Sequence, residues 1–297
     1  FCLNPDQASA VTLQPVARYG FDAAIIFSDI LMVPWALGRN VRFETGVGPL
    51  LDAMQVPDDI DAETLTGFDD KLAPVGAAIE RTRAALAPET ALIGFSGAPW
   101  TLITYMAEGG SSRDFPNARQ WAWQHEKALD GLLDILVAAI ISFLSLQAQA
   151  GAQALMLFDS WASAVPAAQR DWLVTRPARR IIEGLRKNGH HQPVIGFPKG
   201  FGDGLIRYAN ESGIDAIGLD HGIDPVWAAK NLPAGMPVQG NLDPLSLLHA
   251  GPRMLEDIDR IMDAFSTRPH IFNLGHGITP PTPVENVQAM INRVRKI

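Results

Sequence analysis

The sequence predicts a (β/α)8 TIM barrel, an α/β fold in which parallel strands alternate with helices. Three observations carry that expectation. Seven short apolar runs recur, each closing on a small or polar cluster, and near-continuous hydrophobicity marks parallel strands covered on both faces. Helical patterns lie between the runs, and such alternation makes a parallel sheet with helical crossovers. The chain also opens on the helix that follows an eighth strand, so the first strand and its loop are expected upstream of Phe1. A doubly wound open sheet is the runner-up. A single domain over residues 1–297, N-terminally incomplete, is the expected organisation.

The elements follow in order. Leu3-Asn4-Pro5-Asp6-Gln7 supplies a cap residue, a proline at the first helical position and a glutamine at the third, and Gly20 ends that helix. The first visible strand spans 23–27, before Ser28-Asp29, and a hairpin-like insertion at 40–45 lies between Gly38 and Gly46. A helix over 72–86, with Glu80, Arg81 and Arg83 on its wet side, leads to a strand at 91–95 before Ser96-Gly97-Ala98-Pro99. Residues 135–158 carry no charge, a length that suggests a membrane span. The apolar centre stops at Leu146, however, and Gln147, Gln149, Gly151 and Gln153 follow. That pattern reads as a buried core helix running into a strand.

This strand, at 154–158, ends on Asp159-Ser160. The next run at 194–197 before Pro198-Lys199-Gly200, 216–219 before Asp220-His221-Gly222, 237–239 before Gly240-Asn241, and 270–274 before Gly275-His276-Gly277. Met254, Ile258, Ile261, Met262 and Phe265 share one face of a late helix. The last helix opens on a capping box, Thr282-Pro283-Val284-Glu285, and buries Val287, Met290, Ile291 and Val294.

Composition narrows the function classes. The 297 residues include 24 Lys and Arg against 32 Asp and Glu, a net charge of −8, with 47% hydrophobic and 19% charged residues. That is a globular mix. An acidic chain without a basic run argues against a nucleic-acid partner. The single cysteine, Cys2, forms no intramolecular disulfide and builds no Cys-rich metal site. The start carries Asp6 and no basic residue before Arg18, unlike a secretory leader. A soluble, cytoplasmic protein with no membrane partner is expected.

In a barrel, polar groups just past the strand ends surround one mouth, where active sites form. Asp29, Ser160, Lys199, Asp220, His221, Asn241 and His276 hold such positions, and Tyr105 lies a few residues past the strand at 91–95. Gly200-Phe201-Gly202-Asp203-Gly204 mimics a dinucleotide fingerprint, but Leu205 stands where its third glycine is required. No phosphate-binding loop, metal-ligand histidine spacing or hydrolase elbow is present; the pair His190-His191 sits in a polar turn. Lys199 is open to two readings, a solvated charge or a Schiff-base nucleophile. Asp29 stands between two apolar flanks and is open to two as well: the cap of the following turn, or a carboxylate aimed at a cation or NH groups in a dry pocket.

Several stretches together resemble the uroporphyrinogen decarboxylase family: FDAAIIFSDIL (21–31), GFSGAPWTLITYMAEGG (94–110), GAQALMLFDSWA (151–162), QGNLDP (239–244) and NLGHGI (273–278). They keep the family's order and rough spacing along the whole chain. The resemblance implies a (β/α)8 barrel, usually a homodimer, that acts without metal or organic cofactor. The implied reaction removes the four acetate carboxyl groups of uroporphyrinogen III, giving coproporphyrinogen III and CO2 in porphyrin and heme biosynthesis. By position it implies Asp29 as the catalytic residue holding the pyrrole NH groups, with Tyr105, Ser160 and His276 as further substrate-binding residues.

Two departures stand out. Trp161 occupies a position where some members carry histidine, and is read as pocket wall. The family's paired arginines, on the loop after its first strand, are expected in an upstream segment. Three alternatives remain at this point: a cobamide-dependent methyltransferase of the same barrel group, which would need zinc ligands, a Schiff-base aldolase using Lys199, and a non-catalytic tetrapyrrole-binding barrel.

Overall fold

Helix α1 (Pro5–Tyr19) starts where its cap residue puts it: Asn4 Oδ1 accepts the Gln7 N–H at 3.1 Å, and Gly20 closes it at φ 62°. The computed structural model describes residues 1–44 and 48–296. β1 (Ala23–Ile25) and the short α2 (Met32–Ala36) come next. The expected insertion is an antiparallel hairpin of β2 (Val41–Glu44) and β3 (Gly48–Leu51), with Val41 opposite Leu51. Thr45 and Gly46 of the expected insertion lie outside the described residues. Leu51 N–H bonds Gly109 O at 2.9 Å and Met54 N–H bonds Met106 O at 2.8 Å, which seats the hairpin's exit on the helix that carries Tyr105.

α3 (Phe68–Ala85) begins a turn before the expected 72, with Asp69 and Asp70 favourably placed at its N-terminus. It leads to β4 (Ala91–Gly97), α4 (Pro99–Glu108), α5 (Pro116–Gln124) and α6 (Glu126–Gln149). α6 is long and apolar enough to cross a membrane, yet 56% of that window is buried, and it packs against α3 and β4 as a core helix. Gln147 is part of that core: its Oε1 accepts Phe95 N–H and its Nε2 donates to Phe95 O, both at 2.8 Å. The buried amide is fully paired, so it sits in the core without the usual penalty.

The remaining elements alternate: β5 (Ala154–Asp159), α7 (Arg176–Lys187), β6 (Val194–Pro198), α8 (Gly204–Glu211), β7 (Ala216–Gly218), α9 (Pro225–Asn231), β8 (Val238–Gln239), α10 (Pro244–His249), α11 (Pro252–Ala264), β9 (His270–Ile271) and α12 (Val284–Arg295). β1, β4, β5, β6, β7, β8 and β9 form one curled parallel sheet of seven strands in that order. The register sets Ala23 beside Ala91, Ile93 beside Ala154, and Val238 beside His270.

Two expectations need correction. The strand expected over 270–274 stops at Ile271, and its pairing resumes only as a bridge between Leu242 and Leu274. Thr282 caps nothing: Pro283 is the N-cap residue of α12 and carries no side-chain acceptor, while Thr282 Oγ1 pairs with Thr279 Oγ1 at 2.8 Å. A neighbouring hydroxyl competes for the cap group, and a sequence pattern does not register it.

Among the described residues no ladder joins β1 to β9, so the sheet keeps two open edges and an eighth strand is not seen. Apolar side chains stand exposed there: Ile25 at 42% and Phe27 at 38% by one edge, Ile271 at 44% on the other.

Candidate active site

Because the seven strands run parallel, their C-terminal ends open on one mouth, the place where α/β folds bind ligands. Asp29 lies in the loop between β1 and α2. Its Oδ1 accepts the Leu31 N–H at 2.8 Å, a self-capping turn of the kind aspartate favours. Its second oxygen makes no hydrogen bond among the described residues. Burial pushes the Asp29 carboxyl above the usual carboxylate range, and the Leu31 bond offsets only part of that. One oxygen thus fixes the turn, as the capping reading of Asp29 expects, and the other is left without a protein partner among the described residues.

Tyr105 sits on α4 and is 8% exposed. Burial raises its phenol, and the negative charge of Asp29 raises it further, so Tyr105 stays a protonated donor. Its ring centroid lies 6.4 Å from that of Trp161, which also contacts Phe115 at 4.8 Å. The Trp161 indole N–H is buried and approaches Tyr105, yet falls short of a hydrogen bond. Trp161 is thus an aromatic wall with an unsatisfied donor. Ser160, directly before it, is partly exposed, and its hydroxyl has no partner among the described residues.

His276 follows β9 on an exposed loop. Its Nδ1 accepts the Gly277 N–H at 2.7 Å, which fixes the neutral ring's proton on Nε2 as a free donor. Desolvation lowers the His276 pKa, the charges of Lys199 and His221 lower it further, and Asp220 opposes them. The mouth is thus lined in sequence by Asp29, Tyr105, Trp161, Lys199 and His276. The glycine-rich run after β6 forms no dinucleotide cradle; it turns into α8, and Gly200 N–H is held by Asp220 Oδ2 at 2.8 Å. Among the described residues no group of three or more His, Cys, Asp or Glu side chains is placed to hold a metal ion.

One pair escaped the sequence reading. Asp159, the last residue of β5, is 1% exposed and accepts the Thr101 hydroxyl at 2.6 Å, with the Thr101 backbone N–H directed at the same carboxyl. Thr101 Oγ1 in turn accepts the Trp161 backbone N–H at 3.1 Å. The N-cap residue of α4, Ala98, has no side-chain acceptor, so a carboxylate from the neighbouring strand caps that helix. A buried acid at a strand end, beside a helix lacking its own cap residue, was the available signal.

Comparison with known proteins agrees with the motifs. Residues 1–297 match the family model described as Uroporphyrinogen decarboxylase (URO-D). The uroporphyrinogen decarboxylase of Maricaulis maris is 48% identical over 296 residues, spanning 99% of this chain and 85% of the relative. That of Novosphingobium aromaticivorans is 46% identical over 292 residues, spanning 98% and 85%. Among solved structures, a methyltransferase from Methanosarcina mazei superposes with a TM-score of 0.83 over 99% of this chain and 86% of that one. At 15% identity it shares the architecture alone. With close relatives of one kind matching almost end to end, and the family's motif residues gathered at one mouth, the chain belongs to the uroporphyrinogen decarboxylase family.

Proposed function

We propose that this chain removes the four acetate carboxyl groups of uroporphyrinogen III, giving coproporphyrinogen III and CO2 without metal or organic cofactor, and that Asp29 is its catalytic residue. The observation that supports this most is the Asp29 carboxylate, desolvated at the mouth beside Tyr105 with one oxygen uncommitted. Decarboxylation needs a sink for the electron pair released with CO2, and here the substrate supplies it. A proton added to a ring carbon makes the pyrrole cationic. The bond to CO2 then breaks, and its electrons move into the ring. A proton taken up by the exocyclic carbon gives the methyl group, and loss of the ring proton restores the pyrrole. The fixed carboxylate attracts the cationic ring more strongly than the neutral one, which is the differential binding that lowers a barrier. Tyr105, Ser160 and His276 donate hydrogen bonds to substrate carboxylates.

The test is incubation with chemically reduced uroporphyrinogen, with products separated by their number of carboxylates. Stepwise loss down to the tetracarboxylate is expected. Tight porphyrin binding with no CO2 release overturns the reading and leaves a tetrapyrrole-binding barrel.

The same reading includes a single domain completed as a (β/α)8 barrel by a parallel strand between β1 and β9. The exposed Ile25, Phe27 and Ile271 support it, because open apolar edges invite pairing. Adding a β-forming peptide long enough to pair with both β1 and β9 of this 297-residue chain is expected to raise the melting temperature by roughly 5 °C or more. Covering three half-exposed apolar side chains contributes on the order of 2–3 kcal/mol, and each kcal/mol is about 2–4 °C at this size. An unchanged melting temperature would count against the strand. A homodimer in the cytoplasm completes the reading, supported by the family resemblance; sedimentation of the purified protein tests the dimer.

A further inference from the structure

We propose that Lys199, His221 and His276 form a cradle for one carboxylate of the substrate, and that Asp220 is the positioning residue that holds the cradle together. This rests on the decarboxylase reading above, which already uses His276, and assigns binding roles to Lys199 and His221 and a positioning role to Asp220, which that reading does not use. Lys199 follows β6, Asp220 and His221 follow β7, and His276 follows β9, so loops from three strands of one sheet contribute.

The backbone ties them. Asp220 is 7% exposed, and both its oxygens are committed: Oδ2 accepts Gly200 N–H and Oδ1 accepts Gly222 N–H, each at 2.8 Å. Its own carbonyl accepts Asn241 Nδ2 at 2.9 Å. The loop before His276 lies directly on the 220–221 backbone, since a Cβ at Gly275 would come within 2.2 Å of His221 N. Only glycine permits that approach.

Lys199 is what makes this arrangement a candidate for a ligand. Its ammonium sits 5.7 Å above the Trp161 ring centroid and, among the described residues, has neither an ion pair nor a hydrogen bond. Asp220 does not neutralise it by contact, because its oxygens are held by backbone N–H groups. A half-buried cation over an aromatic face is favourable, and its donors, without a protein partner among the described residues, are open to an anion. The desolvation of Lys199 and its mutual effect with His276 agree with this crowding. The lysine ammonium and the Nε2–H of His276 are charge-assisted or neutral donors suited to carboxylate oxygens, with His221 beside them. On a chain of net charge −8, such a local positive pole is what a polycarboxylate requires.

The test is Lys199→Met assayed with uroporphyrinogen. KM is expected to rise roughly tenfold or more, as for a lost hydrogen bond to a charged group, with kcat falling by less than about threefold. KM of the unsubstituted protein rises with ionic strength, and Lys199→Met shows a shallower rise. Lys199→Arg restores most of the affinity. Asp220→Asn raises KM in the same selective way, because its amide accepts only one of the two N–H groups. If the unsubstituted protein turns over and Lys199→Met keeps its KM, the cradle is wrong and the decarboxylase reading stands. If the unsubstituted protein does not turn over, that reading fails, and quenching of tryptophan fluorescence by oxidised uroporphyrin decides the cradle. Equal affinity in both proteins then overturns it, and weaker binding by Lys199→Met supports it.

Discussion

Asp29→Asn lowers kcat/KM for uroporphyrinogen roughly 100-fold or more, the scale of losing one preorganised electrostatic group, and at neutral pH it raises the melting temperature. The first effect follows because the amide keeps the shape but loses the charge that favours the cationic ring. The second follows from burial. A carboxyl whose pKa is raised in the folded state binds its proton more tightly there than in the unfolded chain. Its ionisation therefore costs stability as pH rises from the ordinary carboxylate range through the raised value. Asparagine removes that cost, and its Oδ1 still accepts the Leu31 N–H. In acid, where both states are protonated, the two proteins melt alike. Steady-state kinetics with thermal melts at acid and neutral pH check both parts. A variant with near-native turnover ends the catalytic assignment. A variant that is inactive and also less stable at neutral pH points to a cap of the turn and nothing more.

The strands were legible because a parallel sheet covered by helices needs continuous apolar runs, and every such run became a strand of the sheet. Their ends were less so, as at Ile271, where the regular strand ends and pairing returns only as the Leu242–Leu274 bridge. Asp29 stood out because a lone acid between two apolar flanks is expensive unless it does something. The roles of Tyr105, Ser160 and His276 came from the resemblance; composition alone would not single out these side chains. What stayed hidden was cross-element pairing. Gln147 looked like the end of an apolar stretch, yet it is buried and closes a bidentate bond with Phe95 across α6 and β4. Asp159 and Thr101 meet because β4 and β5 lie side by side, with Gly97 opposite Phe158. No local pattern encodes that meeting.

Asp159→Asn is expected to produce stability curves that cross those of the unsubstituted protein between about pH 3 and pH 7.5. Burial is the main cause that pushes the Asp159 carboxyl up to about 7, against the two Thr101 hydrogen bonds. The unfolded chain releases this proton near 3.9, so between those values the folded state holds more protons and stability falls as pH rises. The fall attributable to this group is on the order of 4 kcal/mol. Asp29 adds a fall of the same sign. His270 and His276 oppose it, since their depressed values let stability grow as pH rises through the ordinary histidine range. The difference between the two proteins cancels these shared terms. At about pH 3, where this carboxyl is protonated in the folded and mostly in the unfolded chain, the variant is less stable by about 1 kcal/mol, the worth of one impaired hydrogen bond. At pH 7.5 it is the more stable, because an amide has no charge to desolvate. Urea unfolding at both pH values reads the crossing directly, and parallel curves would mean that Asp159 is ionised throughout. The carboxyl reaches the mouth through Thr101, which holds the Trp161 backbone N–H at 3.1 Å. Asp159 therefore couples the cap of α4, the helix carrying Tyr105, to the placement of Trp161, whose ring both Tyr105 and Lys199 approach. Retaining an acid here at a cost in stability makes physical sense if that placement matters more to turnover than the energy lost in burying it.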